Sequence, residues 1–80
     1  MNNRDEILDG IKKIMLEMFE IEEDQVTLDA RLYEDLDFDS IDAVDMIVKL
    51  KEITGREVKA DDFKAARTVG DVVEAIFKLE

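Results

Sequence analysis

Apolar side chains recur at steps of three and four along three separate stretches of this chain. Nowhere do they alternate with polar residues for long enough to require a strand. Ile7, Leu8, Ile11, Ile14, Met15 and Met18, with Phe19 beside them, form one stripe over residues 4–19. Asn3 followed by Glu6 reads as a capping box, with Asp5 and Glu6 near the positive end of the helix dipole. Gly10 inside this helix costs about 1 kcal/mol relative to alanine and leaves room for a neighbour to come close.

A second helix is predicted over residues 40–53, with Asp39 as N-cap and Asp42 at its third position, where the dipole favours an acid. It carries two stripes. Ala43, Met46, Ile47, Leu50 and Ile53 suit a core, whereas Ile41, Val44 and Val48 lie on an adjacent face. That face is either a second buried side or an exposed docking surface. Gly55 is the natural left-handed residue past the end of the helix. Val58 anchors an extended link, and residues 61–66 predict a short helix with Phe63 and Ala66 facing inward. Thr68 followed by Asp71 opens a last helix striped by Val69, Val72, Val73, Ile76 and Phe77. The chain contains no proline. The predicted fold is therefore all-α, a small bundle of three main helices plus one short helix, with a long loop between the first and second helices.

That loop, residues 20–39, has no sustained period. Val26, Leu28, Leu32, Tyr33, Leu36 and Phe38 stand among acids as apolar anchors, with a single turn expected at residues 31–35. Loops of this length inside compact domains are uncommon and frequently functional.

Eighty residues predict one domain spanning 1–80; a chain of this size buries roughly 60–65% of the surface its unfolded form exposes. Asp and Glu number 22 against 11 Lys and Arg, a net charge of −11 that repels nucleic acid and anionic lipid and attracts basic protein surfaces. The 46% hydrophobic content, regularly spaced, argues against disorder. Cysteine and histidine are absent, which excludes disulfides, thiolate metal sites, a cysteine nucleophile and a serine–histidine pair. No apolar run is long enough for a membrane span or a signal segment, so a cytoplasmic monomer is expected.

One stretch concentrates the chemistry. Six of the twelve residues 34–45 are acidic, and among them stands Ser40, the single serine of the chain. Asp35, Asp37 and Asp39 match the first, third and fifth positions of a calcium loop. The sixth position, which needs glycine, holds Ser40, and the twelfth, which needs a bidentate carboxylate, holds Met46. No dedicated metal site is expected. Acid–base catalysis by paired carboxylates requires a desolvated pocket, and acids this numerous are mostly solvated surface, so no catalytic residue is assigned. A phosphate on Ser40 is another matter. The helix N-terminus would turn amides and dipole toward it, which makes Ser40 a good host for a phosphodiester.

The run Glu34-Asp35-Leu36-Asp37-Phe38-Asp39-Ser40-Ile41-Asp42 resembles the signature of acyl carrier proteins, an Asp-Ser-Leu core preceded by an acidic-leucine segment. The likeness continues through the helix behind it and through Thr68-Val69-Gly70-Asp71-Val72-Val73. It implies that Ser40 receives 4′-phosphopantetheine from coenzyme A by a phosphopantetheinyl transferase. The arm's thiol would then hold acyl groups as thioesters, which gives a chain without cysteine its sulfur. The chain itself would be a carrier, not an enzyme. The resemblance further implies that acyl-transferring and chain-elongating enzymes dock basic patches on Asp39, Ile41, Asp42, Val44, Asp45, Val48 and Glu52.

Three departures from the family pattern bear on which enzymes those are. Asp37-Phe38 replaces a common Gly-Ala, placing a ring and a charge beside the arm; Lys49 and Lys51 stand where acids are usual; and Ile41 replaces leucine. They suggest a specialised carrier of fatty acid, polyketide or polyene-type synthesis. A peptidyl or aminoacyl carrier and an unmodified acidic interaction domain are the alternatives.

Overall fold

The computed structural model describes residues 3–79. Four helices follow in order: α1 (Arg4–Phe19), α2 (Ser40–Thr54), α3 (Ala60–Lys64) and α4 (Val69–Phe77), with a single 3-10 turn at Glu23–Gln25 in the long loop. α1, α2 and α4 each begin where the sequence offers a cap. The Asn3 carboxamide oxygen accepts from the Glu6 amide at 2.9 Å, and the Thr68 hydroxyl accepts from the Asp71 amide at 3.2 Å. α3 starts one residue ahead of the predicted position because the Asp62 carboxylate accepts from the Lys59 amide at 3.1 Å. α2 ends as expected at left-handed Gly55 (φ 66°). α1 ends at Glu20, also left-handed (φ 57°), with no glycine to mark the stop. The Ile21 amide closes that end on the Met15 carbonyl at 3.1 Å.

The buried stripes meet in one core. α1 contributes Ile7, Ile11, Ile14 and Met15, α2 contributes Ala43, Met46, Ile47 and Leu50, and α4 contributes Val69, Val72, Val73 and Ile76. Phe63 closes it from α3. Met18 and Ile53, both expected inside, sit at the edges of their stripes and are 40% and 39% exposed. The open question about α2 is resolved by its outer face. Ile41, Val44 and Val48 are 71%, 56% and 53% exposed, so this helix is buried on one side only.

The long loop is held by its backbone as much as by its side chains. The Val69 amide donates to the Ala30 carbonyl and the Gly70 amide to the Leu28 carbonyl, each at 2.9 Å, and the Leu32 amide donates to the Arg67 carbonyl at 3.0 Å. Arg31 and Thr68 form an isolated antiparallel bridge across the same contact. The first amides of a helix have no partner within it, and here the loop supplies carbonyls for two of them. A Cβ on Gly70 would lie 3.0 Å from the Leu28 carbonyl oxygen, so a side chain here would press that carbonyl back by a few tenths of an ångström. Leu28 thus anchors the loop through its carbonyl, while its side chain is 51% exposed. Val26, Ala30, Leu32, Leu36 and Phe38 turn inward, and full burial of such side chains stabilises by about 1.5–3 kcal/mol each.

Two further contacts close the ends of α4. The Arg4 guanidinium hydrogen-bonds Glu74 and lies 4.1 Å from the centre of the Phe77 ring, joining α1 to α4. The Arg56 guanidinium donates to the Ile76 carbonyl at 2.7 Å, a cation where the dipole favours one. The Asp71 carboxylate accepts from the amides of Arg67 and Thr68 at 2.9 and 3.1 Å. Those bonds, Arg67's first, hold its pKa below the ordinary value.

Two outcomes follow. Leu32→Ala removes a side chain with no exposed surface and is expected to cost about 2–5 kcal/mol, read by urea unfolding; a loss within 0.5 kcal/mol would mean that the loop is not tied to the core. For Asp71, a lowered folded pKa means that its stabilisation is present above the unfolded value and is lost as pH falls through the folded one. The stability gap between wild type and Asp71→Asn should be widest at neutral pH and should close below about pH 4, by denaturation at stepped pH.

Candidate functional site

Ser40 is the first residue of α2, exposed, at the point where the long loop turns into the helix. The segment leading to it is fixed link by link. The Arg31 guanidinium donates to Asp35 at 3.0 and 3.1 Å and to Glu34 at 2.7 Å. The Asp35 and Leu36 amides both close on the Arg31 carbonyl, at 3.0 and 3.1 Å, which is the turn expected at 31–35. Hydrogen bonds from the Arg31 side chain, then from its amide, hold the Asp35 carboxyl below its usual pKa. The Phe38 amide donates to the Leu32 carbonyl at 3.0 Å, and the Phe38 ring packs on Phe19 with centroids 4.9 Å apart.

This geometry corrects the expectation for Asp37-Phe38. Phe38 is only 5% exposed and faces the core; it is not a ring beside the serine. Asp37 has φ 57°, the left-handed region. Glycine adopts that conformation at no steric cost, and aspartate is one of the few side chains to visit it routinely. Asp37 meets that backbone demand without being glycine.

The acids flanking Ser40 are occupied in a reciprocal cap. The Asp39 carboxylate accepts from the Asp42 amide at 2.9 Å, and the Asp42 carboxylate accepts from the Asp39 amide at 3.1 Å. The Ala43 amide reaches the Asp39 carbonyl at 3.1 Å. The amides of Ser40 and Ile41, the first two of the helix, have no acceptor among the described residues. A phosphate esterified to the Ser40 hydroxyl would meet two uncommitted donors and the positive end of the α2 dipole. The residues therefore fit a phosphodiester. Among the described residues no three carboxylates converge to hold a metal ion; Asp35 is taken by Arg31, and Asp39 by the cap.

Beside the serine opens a cleft of about 130 Å³ between the loop, α2 and α3. Tyr33, Ala43, Ile47 and Phe63 line it, together with Ser40 and Lys64. Sequence reasoning missed this cleft. Ala43, Ile47 and Phe63 read as core and Tyr33 as a loop anchor, and nothing in the spacing of Lys64, on another helix, ties it to Ser40.

The residues predicted to dock partners do come together. Ile41, Val44, Asp45, Val48 and Glu52 are exposed along one side of α2 at steps of three and four; Asp39 is exposed at its start, and Asp42 is half-buried. The face is apolar along its middle and acidic toward Ser40. Further along, Lys49 pairs with Glu52 at 3.5 Å.

Comparison with known proteins agrees with this construction. A family model described as the phosphopantetheine attachment site matches residues 9–76. Acyl carrier protein 2 of Ralstonia nicotianae is 53% identical over 74 residues, covering 92% of this chain and 91% of that protein. The acyl carrier protein of Thermotoga maritima is 38% identical over 78 residues, covering 98% and 96%. A solved acyl carrier protein from Enterococcus faecalis superposes over the whole of both chains, with a TM-score of 0.80 and 34% identity. The four helices, the serine at the mouth of α2 and these likenesses agree: the chain belongs to the phosphopantetheine-attachment family and is an acyl carrier protein that uses 4′-phosphopantetheine.

Proposed function

We propose that Ser40 is the residue that bears the arm, and that the exposed side of α2 presents it to successive enzymes. The observation that carries this reading is the position of the chain's single serine at the first turn of α2, exposed and beside two unpaired amides. The arm supplies the thiol on which acyl groups ride. The chain's own contribution is placement. The cap of Asp39 and Asp42 fixes the first turn, and the Ser40 and Ile41 amides orient the phosphodiester. The cleft toward Phe63 offers an apolar wall. A chain without histidine, whose nearest acids are engaged in capping, has no base to deprotonate Ser40. The phosphopantetheinyl transferase therefore provides it, and the carrier catalyses nothing itself.

Docking is electrostatic first and apolar second. Asp39, Asp42 and Asp45 steer basic patches toward the Ser40 end, and Ile41, Val44 and Val48 make the close contacts, with Glu52 at the far end. Steering speeds encounter without demanding tight binding, which suits a carrier that must leave each partner. A cytoplasmic monomer serving fatty acid or polyketide-type enzymes, without nucleic acid partners, is consistent with the charge of −11. Among the helices, none is long and apolar enough to cross a membrane. Lys49 and Lys51 interrupt the acidic pattern, which favours a carrier dedicated to a specialised pathway.

Incubating the apo protein with coenzyme A, Mg²⁺ and a broad-specificity phosphopantetheinyl transferase should add one phosphopantetheinyl group by intact mass, and Ser40→Ala should abolish the addition. Folded wild type that stays unmodified would refute the assignment. Asp45→Lys should leave the helical circular dichroism unchanged and slow transfer by acyl-loading enzymes at low salt by about tenfold. Equal rates there would argue against docking through this face.

A further inference from the structure

Lys64 stands out in the field around Ser40. Residues 34–45 hold six acids and no cation. Just before that stretch, Arg31 is committed to Glu34 and Asp35, and the Asp39 and Asp42 carboxylates cap α2. Esterifying Ser40 would add one more negative charge to this end of the molecule. The uncommitted amides of Ser40 and Ile41 can face the phosphodiester from the helix side only. Across the cleft, α3 brings in Lys64, which lines the same 130 Å³ space as Ser40 and is the one cation among its lining residues. Lys64 has no ion pair or hydrogen bond from its side chain among the described residues.

We infer that Lys64 is a positioning residue for the arm: in the loaded protein its ammonium pairs with the phosphodiester on Ser40 from the α3 side. The inference rests on Ser40 being the attachment site. The chemistry is favourable on each count. A lysine head on a four-carbon stem can follow a phosphate without a fixed geometry, and as a point charge it needs no second donor. The pair would sit at the rim of an apolar cleft, where screening is weaker than on open surface. It would also couple two elements that the unloaded chain joins only through apolar contacts. α3 is a five-residue helix held by the Phe63 side chain and the Asp62–Lys59 bond, so a charge tie to the start of α2 would draw it over the cleft. Loading would then tighten α3, and the arm would leave Ser40 with its first atoms held between α2 and α3.

The test compares mass-verified apo and fully loaded protein by NMR. In wild type at neutral pH, the side-chain Cε and Nζ resonances of Lys64 should move on loading, while those of Lys12 and Lys13 on α1 stay where they were. Amide exchange at Phe63 and Lys64 should slow several-fold on loading. Lys64→Met, which keeps the stem and removes the charge, should load at Ser40 but lose that protection, whereas Lys64→Arg should keep it. Complete loading with unmoved Lys64 side-chain resonances, or with equal protection gain in Lys64→Met, overturns the contact and leaves the attachment site intact. Failure to load at all would instead overturn the assignment of Ser40.

Discussion

The structure depends on a short backbone contact between the middle of the long loop and the start of α4. Leu28 and Ala30 give their carbonyls to the amides of Gly70 and Val69, and Leu32 gives its amide to Arg67. Without this contact, a loop of twenty residues would be free to wander. With it, Leu32 is delivered to the core, Phe38 closes on the Leu32 carbonyl, and Asp39 arrives in place to cap α2. The position of Ser40 is thus set by hydrogen bonds made far along the chain. Gly70 is where the two segments come closest, and its missing side chain leaves room for the Leu28 carbonyl.

The second organising force is charge. A net charge of −11 on a small domain opposes compaction, and none of the acids among the described residues is buried. Those that matter locally are converted into structure. Asp35 fixes the turn before the site, Asp39 and Asp42 cap α2, and Asp71 ties the residues that precede α4. The remaining surplus gives the molecule a field that basic partners can follow from a distance. The same surplus makes a cation such as Lys64 conspicuous in the cleft beside Ser40, the proposed attachment site.

Much of this was legible before any coordinates. α1, α2 and α4 each announced itself through an apolar stripe with a cap in front, and Gly55 marked the end of α2. The place of Ser40 at the start of α2 followed from the cap at Asp39, and the apolar stripe of Ile41, Val44 and Val48, left open as core or surface, is exposed. What escaped has physical reasons. Glu20 and Asp37 adopt left-handed backbone without being glycine, so neither conformation carried a signal, although the apolar stripe alone placed the end of α1 at residue 19. Leu28 holds the loop through a carbonyl that every residue has, and spacing cannot reveal which carbonyl is used. Phe38 stands two residues before Ser40 in sequence but packs on Phe19, following a left-handed step at Asp37 that the sequence does not mark. The cleft is built from three separate elements, and such convergence is a property of the fold rather than of any local pattern.

The account centres on a covalently armed Ser40 in a carrier that performs its task in the cell. Its most direct test is intact mass and peptide mapping of the protein isolated from its own host under conditions that preserve thioesters. The account predicts a phosphopantetheinyl group on the peptide containing Ser40, with a fraction of molecules carrying an acyl group on the arm. A protein that is active in its pathway yet unmodified, or that bears the arm on any other residue, would contradict it.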